Sequence, residues 1–420
     1  MVCFIIFQTV LSHVVTYHEE HHLFLYSMEY LRHTWHWAGA ATVAAAFLVQ
    51  FFYYPWLGSL LLATWLSGLF LISHRGMTGL TGRKDLFLLS LLPPFAALLY
   101  LRSVSHSLST LVSVTVCLAA AVELLLRLRR RWLGPDGRLP LFSAIRPLQV
   151  HPAVSWLCVL AYTAGGYVLF WTDYPYHERR LCVVSHCAGK GQWEQVLRYT
   201  SSYFQSGRTN NMMAYYHNLG LYHTGQLPAR VLQYNRPLGA KGLSLAWKGS
   251  RDDAEYGALL YEQLGLLNIA HRWESEALVK YGETAPHLLR LSRYNIALRR
   301  PQVALRFLRK LRQSLFYAAE ADRLAAQVTD PASVGLHDAF RGQTDHRFFD
   351  ATDLFPNLEP LLQADPDNRM AYEYLLCASL LSHDLDTFAR WYGQAGRFYS
   401  EVPAVFRQTM EYCQKGGSHD

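Results

Sequence analysis

Over the first two-fifths of the chain apolar residues fall in long runs. Beyond about residue 174 they recur every three or four positions, as on amphipathic helices. The runs cover roughly 2–16, 57–72, 86–101, 108–126 and 153–171. Each approaches the ~20 residues that cross a hydrocarbon core. The pattern therefore predicts a transmembrane domain of about five spans over 1–173. The first run has no basic start and no small-residue cleavage site before His18-Glu19-Glu20, so it reads as a retained span. From His21 to Trp37 apolar residues (Leu23, Phe24, Tyr26, Tyr30, Leu31, Trp35) suit a helix lying in the interface plane. The aromatic cluster Phe51 to Trp56 suits headgroup level. Pro93-Pro94 must kink or break the third run, which a membrane tolerates only where neighbours satisfy the freed carbonyls.

Residues 174–420 read as helix after helix, with turn residues between and no strand alternation. Tyr261-x-x-Leu264-Gly265 followed by Ala277 and Tyr281 has the spacing of a tetratricopeptide helix pair. Tyr216-x-x-Leu219-Gly220, with Gly225 at the turn, repeats its first half. Tyr372-x-x-Leu375 with Phe388 and Tyr392 repeats it loosely. Further pairs turn at Gly189-Lys-Gly191 and at Pro301, and 335–353 reads as a longer connection. One such pair cannot bury its apolar face alone, so successive pairs stack. Gly220 and Gly265 stand 45 positions apart, not the usual ~34, so the array is tetratricopeptide-like. The expected fold is all-α: a multi-span transmembrane helical domain followed by an α-helical repeat solenoid.

Charge then orients the spans. Arg75, Arg83 and Lys84 lie between the second and third runs. Arg127, Arg129, Arg130, Arg131, Arg138 and Arg146 lie between the fourth and fifth, and the alternate loops carry only Arg32 and Arg102. That bias places the amino terminus in the cytoplasm and, after five crossings, the carboxyl-terminal half outside it. The overall excess of +7 is otherwise thinly spread, with no basic face interleaved with aromatics, so nucleic acid is not an expected partner.

Catalytic chemistry finds little foothold. His18-Glu-Glu-His21-His22 and His33-Thr-Trp-His36 have the look of histidine boxes that clamp iron. However, a second H-x-x-H-H is missing, and a polar rim on an interfacial helix explains them better. His18, His21 and His22 stay as weak metal candidates; no cofactor is expected. Glu123 is the one acid well inside a run, a functional hypothesis by position, but Arg127 four residues on makes an ion pair with snorkelling the simpler reading. Gly76-Met-Thr-Gly79-Leu-Thr-Gly82 lacks the register of a phosphate loop and reads as a flexible turn. Of the seven cysteines, Cys182 and Cys187 point to different helix faces, and no C-x-x-C occurs. Trp193, Trp273 and the array tyrosines read as core.

Several stretches resemble an uncharacterised bacterial membrane-protein family, domain of unknown function 6057. In the first half they are Leu23-Phe24-Leu25 after an acidic turn, and Phe47-Leu-Val-Gln50-Phe-Phe-Tyr-Tyr-Pro-Trp-Leu-Gly58. In the second they are Gln192-Trp193-Glu194, Asn218-Leu219-Gly220-Leu221 with Gly225-Gln-Leu227, and Lys241-Gly242-Leu243. The resemblance spans nearly the whole chain and implies a Gram-negative inner-membrane protein with a helical carboxyl-terminal domain. It implies no activity. The expectation is a scaffold or adaptor in the bilayer that offers its array to a protein or peptide partner, with His217, Thr224 and Glu262 facing the groove. The other class is a membrane-embedded enzyme or transport component acting on a lipid or glycan intermediate, supported only by Glu123 and the broken third run.

Overall fold

The computed structural model describes residues 1–81, 85, 88–133, 152–172, 174–235, 238–247, 253–340 and 353–416, and among them the fold is all-helical, with no strand. Contacts divide the chain into two compact units. One is Met1–Arg179 with Gln313–Phe316, and the other is Arg180–Arg312 with Tyr317–Asp420.

The first unit holds α1 (Val2–Thr9), α2 (Ser12–His21), α3 (Met28–Val49), α4 (Pro55–Thr81), α5 (Leu92–Tyr100), α6 (Leu108–Leu133) and α7 (Pro152–Trp171). Within α4 and α6, Pro55–Leu80 and Leu108–Trp132 are long and apolar enough to cross a membrane. These two helices run parallel. Trp65 Nε1 donates to Thr115 Oγ1 at 3.0 Å, Gly76 lies against Val122, and Gly79 lies against Leu126, so residue numbers climb together. A Cβ on Gly79 would sit 2.6 Å from Leu126 Cδ2, and one on Gly76 would sit 2.9 Å from Val122 Cγ2. Small residues here let the two backbones close up, a common way for helices to pack in lipid. The glycine-rich stretch expected to be a flexible turn is thus helical through Thr81, because its glycines serve packing.

Parallel helices need a return path. Leu62 and Leu108 line one cavity near the start of both helices. From Leu62 to Gly79, α4 descends about 25 Å at 1.5 Å per residue. The chain must climb back as far before Leu108. The return contains a 3₁₀ turn (Leu89–Leu91) and then the short α5, whose Pro93 and Pro94 stand at its start, where a missing N–H costs no helical hydrogen bond. The third apolar run is therefore broken, as the prolines dictate. α7 runs the same way as the return: Gly166 packs on Phe95, and Arg102 Nη1 donates to the carbonyls of Leu169 (3.0 Å), Phe170 (2.7 Å) and Thr172 (2.7 Å). A cation at those orphan carbonyls complements the helix dipole.

The amino-terminal segment departs from expectation. Residues 2–16 do not form one helix: α1 and α2 are separated at Val10-Leu11, and each is too short to cross. Phe7, Leu11 and Val14 are fully buried, and Val15 Cγ1 occupies the space a Cβ on Gly58 would need. The residues 21–37 expected to make one interfacial helix are split between the end of α2 and the start of α3. α3 then continues past a kink at Gly39 (φ 76°) into an alanine-rich half packed on α6.

At the far end of α4 and α6, Glu123 Oε2 accepts from Arg75 Nη2 at 2.8 Å and Oε1 from Arg127 Nε at 3.2 Å. Arg129 donates to the Gly79 carbonyl. Arg127, Arg129, Arg130 and Arg131 thus lie on the last turns of α6, not in a loop. Arg83, Lys84, Arg138 and Arg146 fall outside the described residues.

The second unit begins within α8 (Tyr176–Gly189), whose first residues belong to the first unit. It continues with α9 (Trp193–Gln205), α10 (Asn211–His223), α11 (Leu227–Asn235), α12 (Asp253–Tyr256), α13 (Ala258–Gln263), α14 (Leu267–Tyr281), α15 (Ala285–Ala297) and α16 (Pro301–Leu311). After these come α17 (Ala318–Ala326), α18 (Phe355–Ala364), α19 (Arg369–Ser382), α20 (Leu385–Tyr392), α21 (Ala395–Phe398) and α22 (Ala404–Gly416). Five of its helix-to-helix turns share one device. Gly191, Gly225, Gly265, Arg299 and His383 each take positive φ just past a helix. The N–H of the next residue reaches back five positions: Gln192 to Cys187, Gln226 to Leu221, Leu266 to Tyr261, Arg300 to Asn295 and Asp384 to Ser379, all at 2.7–2.9 Å. This is the Schellman closure, which satisfies carbonyls that a helix end leaves orphaned. Gly191 and Gly225 stand 34 positions apart, and so do Gly265 and Arg299. Gly225 and Gly265 stand 40 positions apart, and Arg299 and His383 stand 84 apart.

Candidate functional site

A buried polar cluster of the helical unit lies where α13, α14 and α15 meet. α14 buries Leu267, Ala270, Trp273 and Ala277 on one face, and Glu274 falls on that same face with its side chain 0% exposed. α15 starts at a Thr284 cap and presents His287, Arg290 and Tyr294 at spacings of three and four, hence on one side. His287 Nδ1 meets Glu274 Oε1 at 2.5 Å, and Arg290 Nη1 reaches Oε2 at 3.4 Å. Beside them the Tyr294 hydroxyl donates to Glu262 Oε2 at 2.6 Å. Burial, aided by Glu262 and Glu274, holds the Tyr294 phenol far above its usual pKa, so it stays a donor. Arg290 alone of the Glu274 triad keeps substantial exposure, 39% of its side chain. The arrangement is a buried carboxylate paired with one partly exposed guanidinium, with a second carboxylate, Glu262, acting on the same arginine.

A second cluster sits on α19. Arg369 Nε pairs with Glu373 Oε1 at 2.8 Å, and the guanidinium lies 5.2 Å from the Tyr399 ring centroid. Glu373 Oε2 and the Tyr374 and Tyr399 hydroxyls are buried without a hydrogen bond of good geometry among the described residues.

The residues nominated from sequence scatter. Glu262 belongs to the α13–α15 cluster. Thr224 spends its hydroxyl on the Gly220 carbonyl at 2.9 Å, a helix-end contact. His217 does not face an open groove but is fully buried, with Nδ1 2.8 Å from Thr200 Oγ1 and the Phe204 and Tyr234 rings edge-on. Its neighbours are apolar because α10 is buried nearly all round, so no face of it is free for a ligand. Burial and then Arg230 pull the His217 imidazole down to about 4. A pKa below the unfolded value means the unfolded chain binds the extra proton, so His217 supports stability above pH 6.5. That support is lost as pH falls from 6.5 to 4, a swing of about 3 kcal/mol. Thermal melts of the full chain across that window should therefore fall more steeply for the wild type than for His217→Leu. Parallel curves would refute the assignment.

In the first unit His21 Nδ1 and His22 Nδ1 bond to carbonyls of their own turn, Tyr17 (2.8 Å) and His18 (3.0 Å). His18 and His13 are buried, and neither ring has a hydrogen-bond partner among the described residues. No three metal-ligating side chains converge among the described residues. Glu123, within the second half of α6, is paired with two arginines and 41% exposed. The cavity of ≈ 200 Å³ by Val49, Phe52, Leu62, Trp65 and Leu108 has Thr64 as its one polar lining residue, too little to orient a substrate.

Sequence reasoning missed Glu274, His287, Arg290 and Glu373. The available signal was a carboxylate at a core position of an amphipathic helix, between Trp273 and Ala277 and again between Tyr372 and Cys377.

A family model described as "Family of unknown function (DUF6057)" matches residues 1–172 and 171–420, and the chain belongs to that family. No curated protein and no solved structure matches the chain.

Proposed function

We propose that this member of the family is a membrane-anchored scaffold whose helical unit holds a protein or peptide partner on the non-cytoplasmic, periplasmic face of a bacterial inner membrane. The observation that carries the reading is the repeated turn. Helix pairs closed at a 34-residue interval are the building plan of tetratricopeptide arrays, whose concave surfaces bind extended partners.

The side follows from α4 to α7. α4 and α6 descend towards the arginine-rich end, the intervening return and α7 ascend, and the chain leaves α7 at the end opposite those arginines. Positive charge marks the cytoplasmic side. Read as four passes, α4, the return, α6 and α7 support a periplasmic array, and a fifth crossing by residues 2–16 would put the amino terminus in the cytoplasm. Arg290, held by Glu274, is the residue assigned to an anionic group of the partner.

Paired fusions after Asp420 test the topology: alkaline phosphatase should be active and green fluorescent protein dark. A photo-crosslinker at Arg293, one turn from Arg290, should then capture a discrete protein adduct that Arg290→Gln abolishes. Bright fluorescence with dead phosphatase would overturn the periplasmic reading, and an adduct indifferent to Arg290→Gln would overturn the placement of the groove.

A further inference from the structure

Between Glu283 and Glu320 the chain carries eight basic residues and no acidic one. Half of that charge lies on α16 and its exit. α16 is sharply two-sided: Ala304, Leu308 and Leu311 are fully buried, and Arg306, Arg309 and Lys310 are exposed on the opposite side. Lys310 pairs with Glu283, and Arg312 with Asp322 at 2.5 Å. Arg306 and Arg309 have no carboxylate partner among the described residues; Arg309 Nε reaches only the Leu305 carbonyl at 3.4 Å. A helix with one buried stripe needs no uncompensated arginines for solubility in a unit already rich in charge.

The next residues say what lies near them. Gln313–Phe316 belong to the membrane unit. There the Gln313 carbonyl accepts from the Tyr26 N–H at 2.7 Å, and the Phe316 ring stacks on Tyr53 at 5.1 Å with Tyr54 edge-on at 5.7 Å. Tyr53 and Tyr54 immediately precede α4, and tyrosines at the end of a spanning helix sit at headgroup level. Arg309 is four residues from Gln313 and seven from Phe316, so chain connectivity alone keeps it within about 14 Å of the first and about 25 Å of the second. Exposed Leu315 adds an apolar contact in the same stretch.

We infer that the exposed basic face of α16, through Arg306 and Arg309, binds the phosphates of anionic lipid headgroups on the non-cytoplasmic leaflet. This rests on the membrane anchoring proposed above but not on the array's having a protein partner. An amphipathic basic helix joined by a few residues to a segment held at an aromatic belt has the two attractions such binding needs, charge and a shallow apolar contact.

The full chain, reconstituted in nanodiscs of phosphatidylcholine with or without phosphatidylglycerol, tests this with a benzoylphenylalanine crosslinker in place of Gln302. A lipid adduct should form with phosphatidylglycerol and fall roughly fivefold for each of Arg306→Gln and Arg309→Gln. It should also weaken as salt is raised. Equal adducts in both lipid mixtures, no lipid adduct, or an adduct to protein instead would each overturn the inference. Failure to enter nanodiscs at all would instead overturn the membrane anchoring, which separates the two failures. A crosslinker at Trp56, beside the aromatic cluster, should label lipid in either mixture and in every variant.

Discussion

Glu274→Ala is expected to destabilise the helical unit by about 3–5 kcal/mol, because it leaves His287 and Arg290 facing a buried vacancy in place of their shared carboxylate. The number reflects the penalty of orphaning partners, not the net worth of the network. Charges taken from water into a core recover little more than their desolvation cost, so removing all three together should cost far less. The informative comparison is therefore Glu274→Ala against the triple variant Glu274→Leu, His287→Leu, Arg290→Met, each followed by thermal melts of the full chain. A triple variant close to wild type in stability but unable to form the Arg293 adduct would mean that the cluster exists to position Arg290. A triple variant as unstable as the single would mean that the network is a net stabiliser, and would count against a binding role.

The parts of this fold that follow local rules were legible. Pro301 at a helix start, Gly225 and Gly265 at turns, and Pro93-Pro94 breaking the third run all act through backbone geometry that neighbours cannot override. What depended on partners distant in sequence was not. Gly76 and Gly79 read as a turn because glycine weakens a helix locally. The compensation, α6 closing on them, comes from Val122 and Leu126 more than forty positions on. The break between α1 and α2 has the same origin, since no proline or glycine marks it and the fit of Phe7, Leu11 and Val15 into the unit decides it. The turn at His383 escaped notice because a non-glycine residue takes the left-handed conformation there, and the turn at Arg299 was visible only through Pro301. The candidate site was least visible. Glu262 was nominated for a groove through an assumed repeat register, whereas its neighbourhood is set by Tyr294, 32 positions away. His217 failed for the complementary reason. A histidine on a helix buried on all sides satisfies one nitrogen with Thr200 and serves the core.

Gly257→Ala should be as damaging as the loss of Glu274, for a purely steric reason. Gly257 has an ordinary helical backbone (φ −69°), so its freedom of conformation is not at issue. An added Cβ would lie 2.3 Å from Trp273 Cε3 and 2.4 Å from Cζ3, distances no relaxed contact reaches. Trp273 cannot yield easily, because Trp247 stands edge-on at 4.8 Å, Tyr261 lies at 6.1 Å and nearly parallel, and the ring is 1% exposed. Overpacking a core usually costs 1–3 kcal/mol, and a fixed indole with no escape puts this substitution at or above about 3 kcal/mol. Trimming the ring offers the control. Trp273→Leu alone should lose stability through the cavity it leaves, yet in combination with Gly257→Ala the two losses should fall well short of their sum, because the small side chain admits the new methyl. Strict additivity in the melting of the single and double variants would mean that the two residues do not compete for the same space, and the packing described for α12 to α14 would have to be redrawn.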